Sequence, residues 1–417
     1  MVMAKKLREA IERFAMPLDE QALDALVEAA GHAEVVMIGE ASHGTHEFYK
    51  IRAELSKRLI QEKGFTIVAV EGDWPAAAAV NRFIKGFEED GSAGDVLLNS
   101  FGRWPTWMWV NEEVKEFVEW LKQHNDDLPE NRKAGFYGID MYSLYESIDE
   151  LLKFLSENPQ YGTDFTLAKQ AFSCFEPYNR MPEHYALSTA HFSDECISEV
   201  ATLLSSIRRN EERFASHHEE DLNVTMNALV AKNAEAYYRE MMQDDAISWN
   251  TRDLHMVEAI NELKKYHGPD AKLIIWEHNT HIGDASETSM KDDNMINVGQ
   301  LIREEYGHNN TFAIGFGTYE GSVIAADSWG APLERMTVPP AKFNTWEGQM
   351  HAAGAEDKVL LFTEDNRQLF NEWIGHRAIG VVYNPEFEAY GNFVPSRVGS
   401  RYDGFIFIDQ STALHPF

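Results

Sequence analysis

An α/β fold, with a mostly parallel or mixed central sheet flanked by helices, is what this sequence predicts, and three observations carry it. Short apolar runs that stop at a polar residue recur about eight times along the chain. The runs are near-continuous rather than alternating, as expected of strands covered by helices on both faces. Helical patterns lie between them and supply that cover.

Taken in order, residues 1–14 read as an amphipathic surface helix. Val35-Val36-Met37-Ile38-Gly39 is the first buried strand. A helix from Glu47 to Glu62 should follow, with Thr45 as its cap and Gly64 closing it. Thr66–Val70 and Gly135–Ile139 are the next two strands, and Lys272–Trp276, Thr311–Gly315, Lys358–Phe362, Ala378–Val382 and Phe405–Ile408 complete the set. From about Tyr142 to Tyr266 no strand is convincing, and helical patterns such as Ile148–Leu155 predominate. We read one domain over 1–417: a first α/β half (1–141), a helical insert between the two halves of the sheet (142–266) and a second α/β half (267–417). No internal repeat or low-complexity linker forces separate domains.

Composition excludes several function classes. With 68 acidic against 37 basic residues the formal charge is -31, a field that repels nucleic-acid phosphates and anionic membrane surfaces. No stretch approaches the roughly 18 apolar residues of a membrane span, and the opening lacks the apolar run of a signal peptide. Cys174 and Cys196 are the only cysteines, too few for a disulfide framework or a four-thiolate zinc site, so a reducing, cytoplasmic setting is expected.

In open α/β sheets ligands bind beyond the carboxyl ends of the strands, which turns strand endings into candidates. The first ends in Gly39-Glu40-Ala41-Ser42-His43-Gly44-Thr45-His46-Glu47, the second in Glu71-Gly72-Asp73-Trp74 and the third in Asp140-Met141-Tyr142. The fourth ends in Trp276-Glu277-His278-Asn279-Thr280-His281, and the last at Asp409. Glu40, His43, Glu71 and His278 or His281 are thus expected at one sheet edge. A paired histidine and glutamate is what general-base chemistry needs, because the carboxylate fixes the tautomer and stabilises the imidazolium that forms. Arg52, on the following helix, is either a surface residue or reaches back to a carboxylate or substrate oxygen. Trp74, Asp140, Tyr142 and Asn279 join Trp104 and Trp107 of the Phe101–Val110 segment as candidate substrate contacts, although core packing is the commoner role for such tryptophans.

Missing motifs narrow the field. There is no Gly-x-Ser-x-Gly elbow, so a serine nucleophile is unsupported. His46-Glu47-Phe48-Tyr49-Lys50 begins like a zinc-protease helix but ends in lysine. Gly315-Phe316-Gly317-Thr318-Tyr319-Glu320-Gly321 places its third glycine one residue late for a dinucleotide loop, and no phosphate-cradling Gly-Lys-Ser/Thr loop exists.

In this order, Gly39–Gly44 with Glu47 and Arg52, Val70–Asp73, Phe136–Asp140, Trp276–His281 and Arg401-Tyr402-Asp403-Gly404-Phe405 resemble the erythromycin esterase family. The resemblance implies metal-independent, cofactor-free opening of a lactone or carboxylic ester, with no covalent acyl-enzyme. His43 would be the general base, Glu71 its partner, and Glu40, Arg52 and His278 or His281 would complete the catalytic set. It further implies a small-molecule ester or lactone substrate and a part in the response to antibiotics. Glu277 departs from the family's usual small residue. The alternatives are a divalent metal ion held by Glu40, His43, Glu71 and His278, and a catalytically silent binding protein, since some members carry labels from succinoglycan biosynthesis.

Overall fold

In the computed structural model, residues 2–87, 91–158, 162–192, 195–214 and 219–417 are described. Eleven strands lie among them: β1 Met16–Pro17, β2 Val35–Ile38, β3 Ile67–Asp73, β4 Gly135–Asp140, β5 Leu273–Trp276, β6 Thr311–Ala325, β7 Glu334–Val338, β8 Lys358–Leu361, β9 Ile374–Arg377, β10 Phe393–Ser396 and β11 Gly404–Ser411. Contacts divide the chain into a first unit of residues 1–69, 82–135 and 272–417 and a second of residues 70–81 and 136–271.

The first unit holds a sheet in the order β1-β8-β11-β6-β2-β5. β2 runs parallel to both β5 and β6, and β6 parallel to β11. β8 and β7 are antiparallel additions on β11 and β6, which makes the sheet mixed. All four residues of β2 and of β5 are buried, as expected of strands with both faces covered. The helix Val2–Phe14 buries Leu7, Ala10 and Ile11, one stripe at helical spacing. The helix His46–Lys63 starts and stops where the sequence places it: Gly64 takes the left-handed conformation at φ 74° and its N–H closes on Leu59. Thr45 occupies the cap position, but its hydroxyl bonds to Ser42 instead of to the helix.

The second unit contains Val70–Asp73 of β3, Phe136–Asp140 of β4 and a run of six helices from Leu144–Glu157 to Asp245–His267 with no strand among their described residues. Glu219–Glu240 is its central helix, buried around its circumference over the unbroken run from Val224 to Ala231. This is the expected helical region. Cys174 and Cys196, read from sequence as too few for a framework, are joined to each other across 22 positions. The bridge ties the end of the helix Gly162–Ser173 to the start of Ile197–Phe214.

Two strand expectations are corrected. Ala378–Val382 is not a strand: the neighbouring β9 pairs with β10 in a separate antiparallel ribbon, and Ile379 instead donates its N–H to Ala41 O (2.8 Å). The apolar run is explained by burial of Ile379 in a cluster with Val323, Ala325, Val338 and Tyr383. β6 extends ten residues past the expected Thr311–Gly315, because its second half pairs with β7 from Gly321 to Ala325. No described helix is long and apolar enough to cross a membrane.

Candidate active site

In the first unit, register decides what meets. Ile38 of β2 lies level with Trp276 of β5, so the residues that follow each strand emerge side by side. The N–H of Asn279 bonds to Glu40 O at 2.8 Å and fastens the two loops together. Gly39 is required there, since a Cβ would lie 2.2 Å from Asn279 Oδ1, and Gly44 likewise, since its Cβ would lie 1.9 Å from the carbonyl oxygen of Ile324. The N–H groups of Ile324 and Leu414 both reach Gly44 O at 3.0 Å. The loop is therefore held by strands and not by its own flexibility.

On this support, His43 Nδ1 lies 2.9 Å from Glu40 Oε1, both side chains being buried. The carboxylate can only accept, so the Nδ1–H donates and the Nε2 lone pair is left as the base. Glu40 Oε2 faces Arg52 Nη2 at 3.2 Å. Arg52 is fully buried, its guanidinium lying 4.3 Å from the ring centre of Tyr49 and 4.6 Å from that of Trp276. It is thus neither a surface arginine nor solvent-directed, and it reaches back to a carboxylate.

His278 is the member of the histidine pair beside His43, with ring centres 4.9 Å apart. Its Nδ1 accepts from the N–H of Thr280 (3.3 Å) and lies 2.8 Å from the Thr280 hydroxyl, which places the ring proton on Nε2. The two imidazoles accordingly hold opposite tautomers: one offers a lone pair at Nε2, the other an N–H. His281 is buried within the short helix Asn279–Ile282, and Glu277 is fully buried. Asn279 spends its amide on Phe316, donating to its O (2.7 Å) and accepting from its N–H (3.2 Å). Trp107 and Trp109 are buried in the core, while half-buried Trp104 donates to Ala331 O (2.9 Å) and packs on Trp329.

The second unit collects a different set. Glu71, at the end of β3, and Asp140, at the end of β4, share Arg252 of the helix Asp245–His267: Nη2 lies 2.7 Å from each carboxylate, and Nε adds a 3.0 Å bond to Asp140. Burial alone would raise the Asp140 carboxyl, but the Arg252 charge outweighs it and holds the group below the usual range. Arg252 also lies 4.9 Å over the ring of Tyr142, whose hydroxyl burial pushes well above its ordinary pKa. Trp74 is buried, stacked on Tyr137, and donates to Asn223 (2.7 Å). Arg252 escaped the sequence reading because its partner Glu71 is 181 positions away and nothing in its own helix pattern distinguishes it.

A basic imidazole anchored by a buried carboxylate at the edge of a mostly parallel sheet, with a second imidazole alongside, defines a class of α/β protein built to hold a proton acceptor at its strand ends. The family model described as Erythromycin esterase matches residues 60–411. The chain is 21% identical to YbfO of Bacillus subtilis (strain 168), over 96% of this chain and 90% of that protein. It is 22% identical to an Erythromycin esterase type II of Escherichia coli over 71% of each. In fold it matches a crystal structure described as a succinoglycan biosynthesis protein, with a TM-score of 0.81 at 18% identity over the full length of both. The chain belongs to the erythromycin esterase family. Membership supports a hydrolase of the esterase type with a small-molecule substrate.

Proposed function

We propose that the protein opens a lactone or carboxylic ester by direct attack of water, without a covalent intermediate or a cofactor, as a contribution to the response to antibiotics. The observation that carries this reading is the 2.9 Å contact between His43 Nδ1 and Glu40 Oε1. Glu40 fixes the tautomer, Arg52 lies against the far oxygen of Glu40, and His43 Nε2 takes a proton as water adds to the acyl carbon. The Nε2–H of His278 is assigned to the oxyanion of the tetrahedral intermediate, whose collapse expels the alkoxide as it recovers the proton from His43. Glu71 enters as the further carboxylate that family resemblance implies, and Trp104 as a substrate contact.

A panel of macrolides, simple lactones and aryl esters tests the reading. Replacing His43 with alanine is expected to abolish turnover on whichever substrate is found, and Glu40→Gln to lower kcat by about 10²- to 10⁴-fold. Full activity in His43→Ala with the fold intact overturns the assignment. Activity that is lost on chelation and returns with a divalent ion would replace the cofactor-free route with a metal-dependent one.

A further inference from the structure

Away from the His43 dyad, three residues from distant parts of the first unit converge. His46 is the first residue of the helix His46–Lys63, Glu113 lies in the first turn of Glu112–Asp126, and His415 lies in the segment following β11. Both imidazoles address one oxygen: Glu113 Oε1 is 2.5 Å from His46 Nδ1 and 2.6 Å from His415 Nδ1. The ligand-capable atoms of all three lie within 4.8 Å of one another, the one group of three or more such residues with this geometry among the described residues.

Backbone bonds preform the arrangement. The N–H of His46 bonds to Thr412 O (2.8 Å), and Thr412 donates its own N–H and hydroxyl to Glu47 (2.8 and 2.7 Å). Beyond His415, the N–H of Glu112 bonds to His415 O (3.0 Å) and Asn111 pairs with Pro416. The tail is thus fastened on both sides of the histidine.

We infer that His46, Glu113 and His415 form a binding site for a divalent transition-metal ion, zinc first among them. Two imidazole nitrogens and one carboxylate oxygen are the donor set that zinc takes at about 2.0–2.2 Å. Ligands at that distance around a tetrahedral ion stand about 3.4 Å apart, between the 2.5 Å and 4.8 Å seen here. Each ring moves its proton to Nε2 and gives the vacated Nδ1 lone pair to the ion. Water takes the fourth position, on the open side where the His415 side chain is 61% exposed. The His46-Glu47 motif fails as a zinc-protease helix because its fifth residue is Lys50; the partners of His46 come from the fold, 67 residues on for Glu113.

The test uses the full chain stripped with chelator and titrated with ZnCl2 by calorimetry, with Co²⁺ as an absorbing substitute. One ion per chain, visible bands on Co²⁺ addition, and binding weakened at least tenfold in His415→Ala and Glu113→Gln support the site. His415→Ala alters an exposed side chain, so it carries the comparison if Glu113→Gln fails to fold. A melting temperature that climbs with zinc in the parent but not in His415→Ala is the second expected result. Absence of saturable binding, or equal affinity in His415→Ala, overturns the inference. Neither readout depends on ester hydrolysis.

Discussion

Arg52 shows how one side chain links stability to chemistry. A buried guanidinium flanked by two aromatic rings and a carboxylate cannot be replaced cheaply, because removing it takes the cationic partner from a buried carboxylate and leaves Glu40 only its bond to His43. Arg52→Met should cost about 3–5 kcal/mol of stability and lower kcat/KM, since Glu40 loses the group that holds it in place against His43. An unchanged kcat/KM in that variant would show Arg52 to be packing alone. His255 gives a second case: burial depresses it from 6.5 to about 4. Above pH 6.5 the ring is neutral whether folded or unfolded and contributes nothing. As the pH falls from 6.5 towards 4 the unfolded chain takes up the proton first, so about 3 kcal/mol is lost. Calorimetry at pH 7 and pH 4.5 should show a smaller drop for His255→Gln than for the parent. Glu40 and His43 were legible in sequence because they sit three positions apart on a loop directly after an apolar strand. Arg252 was not, since only tertiary folding brings it to Glu71 and Asp140.

Among the elements, strands announced themselves by burial, and the same signal misled at Ala378–Val382. Ile379 is apolar because it fills a cluster beside the Glu40 loop, not because it belongs to a ladder; sequence reports burial, and pairing must be inferred from it. The helix His46–Lys63 was readable to within a residue through Gly64. The Cys174–Cys196 bridge was unreadable, two cysteines 22 apart in helical patterns giving no sign of their approach. Closing a loop of that length stabilises by about 3 kcal/mol in the chain-entropy account. Reduction, or the double replacement by serine, should therefore lower the melting temperature of the second unit by several degrees, and a bridge that alkylation finds already open in freshly extracted protein would remove this term.

For the molecule as a whole, a formal charge of -31 implies self-repulsion in the folded state. Raising salt from 0.01 M to 0.1 M shortens the screening length from about 30 to about 10 Å. Thermal stability should rise over that range, and a flat or falling curve would show that local ion pairs already balance the field. The division into units also sets an order of events during synthesis. The second unit is complete once Ala271 has been made, whereas the first is assembled from three separated segments, the last beginning at Lys272. β2 cannot find its partners β5 and β6 until that final segment leaves the ribosome, and Glu47 waits 365 positions for Thr412. The helical portion is thus free to fold while synthesis continues, and the histidine-bearing loop after β2 is among the last parts to be locked in place, dependent on chaperones for longer than its early position in the chain would suggest.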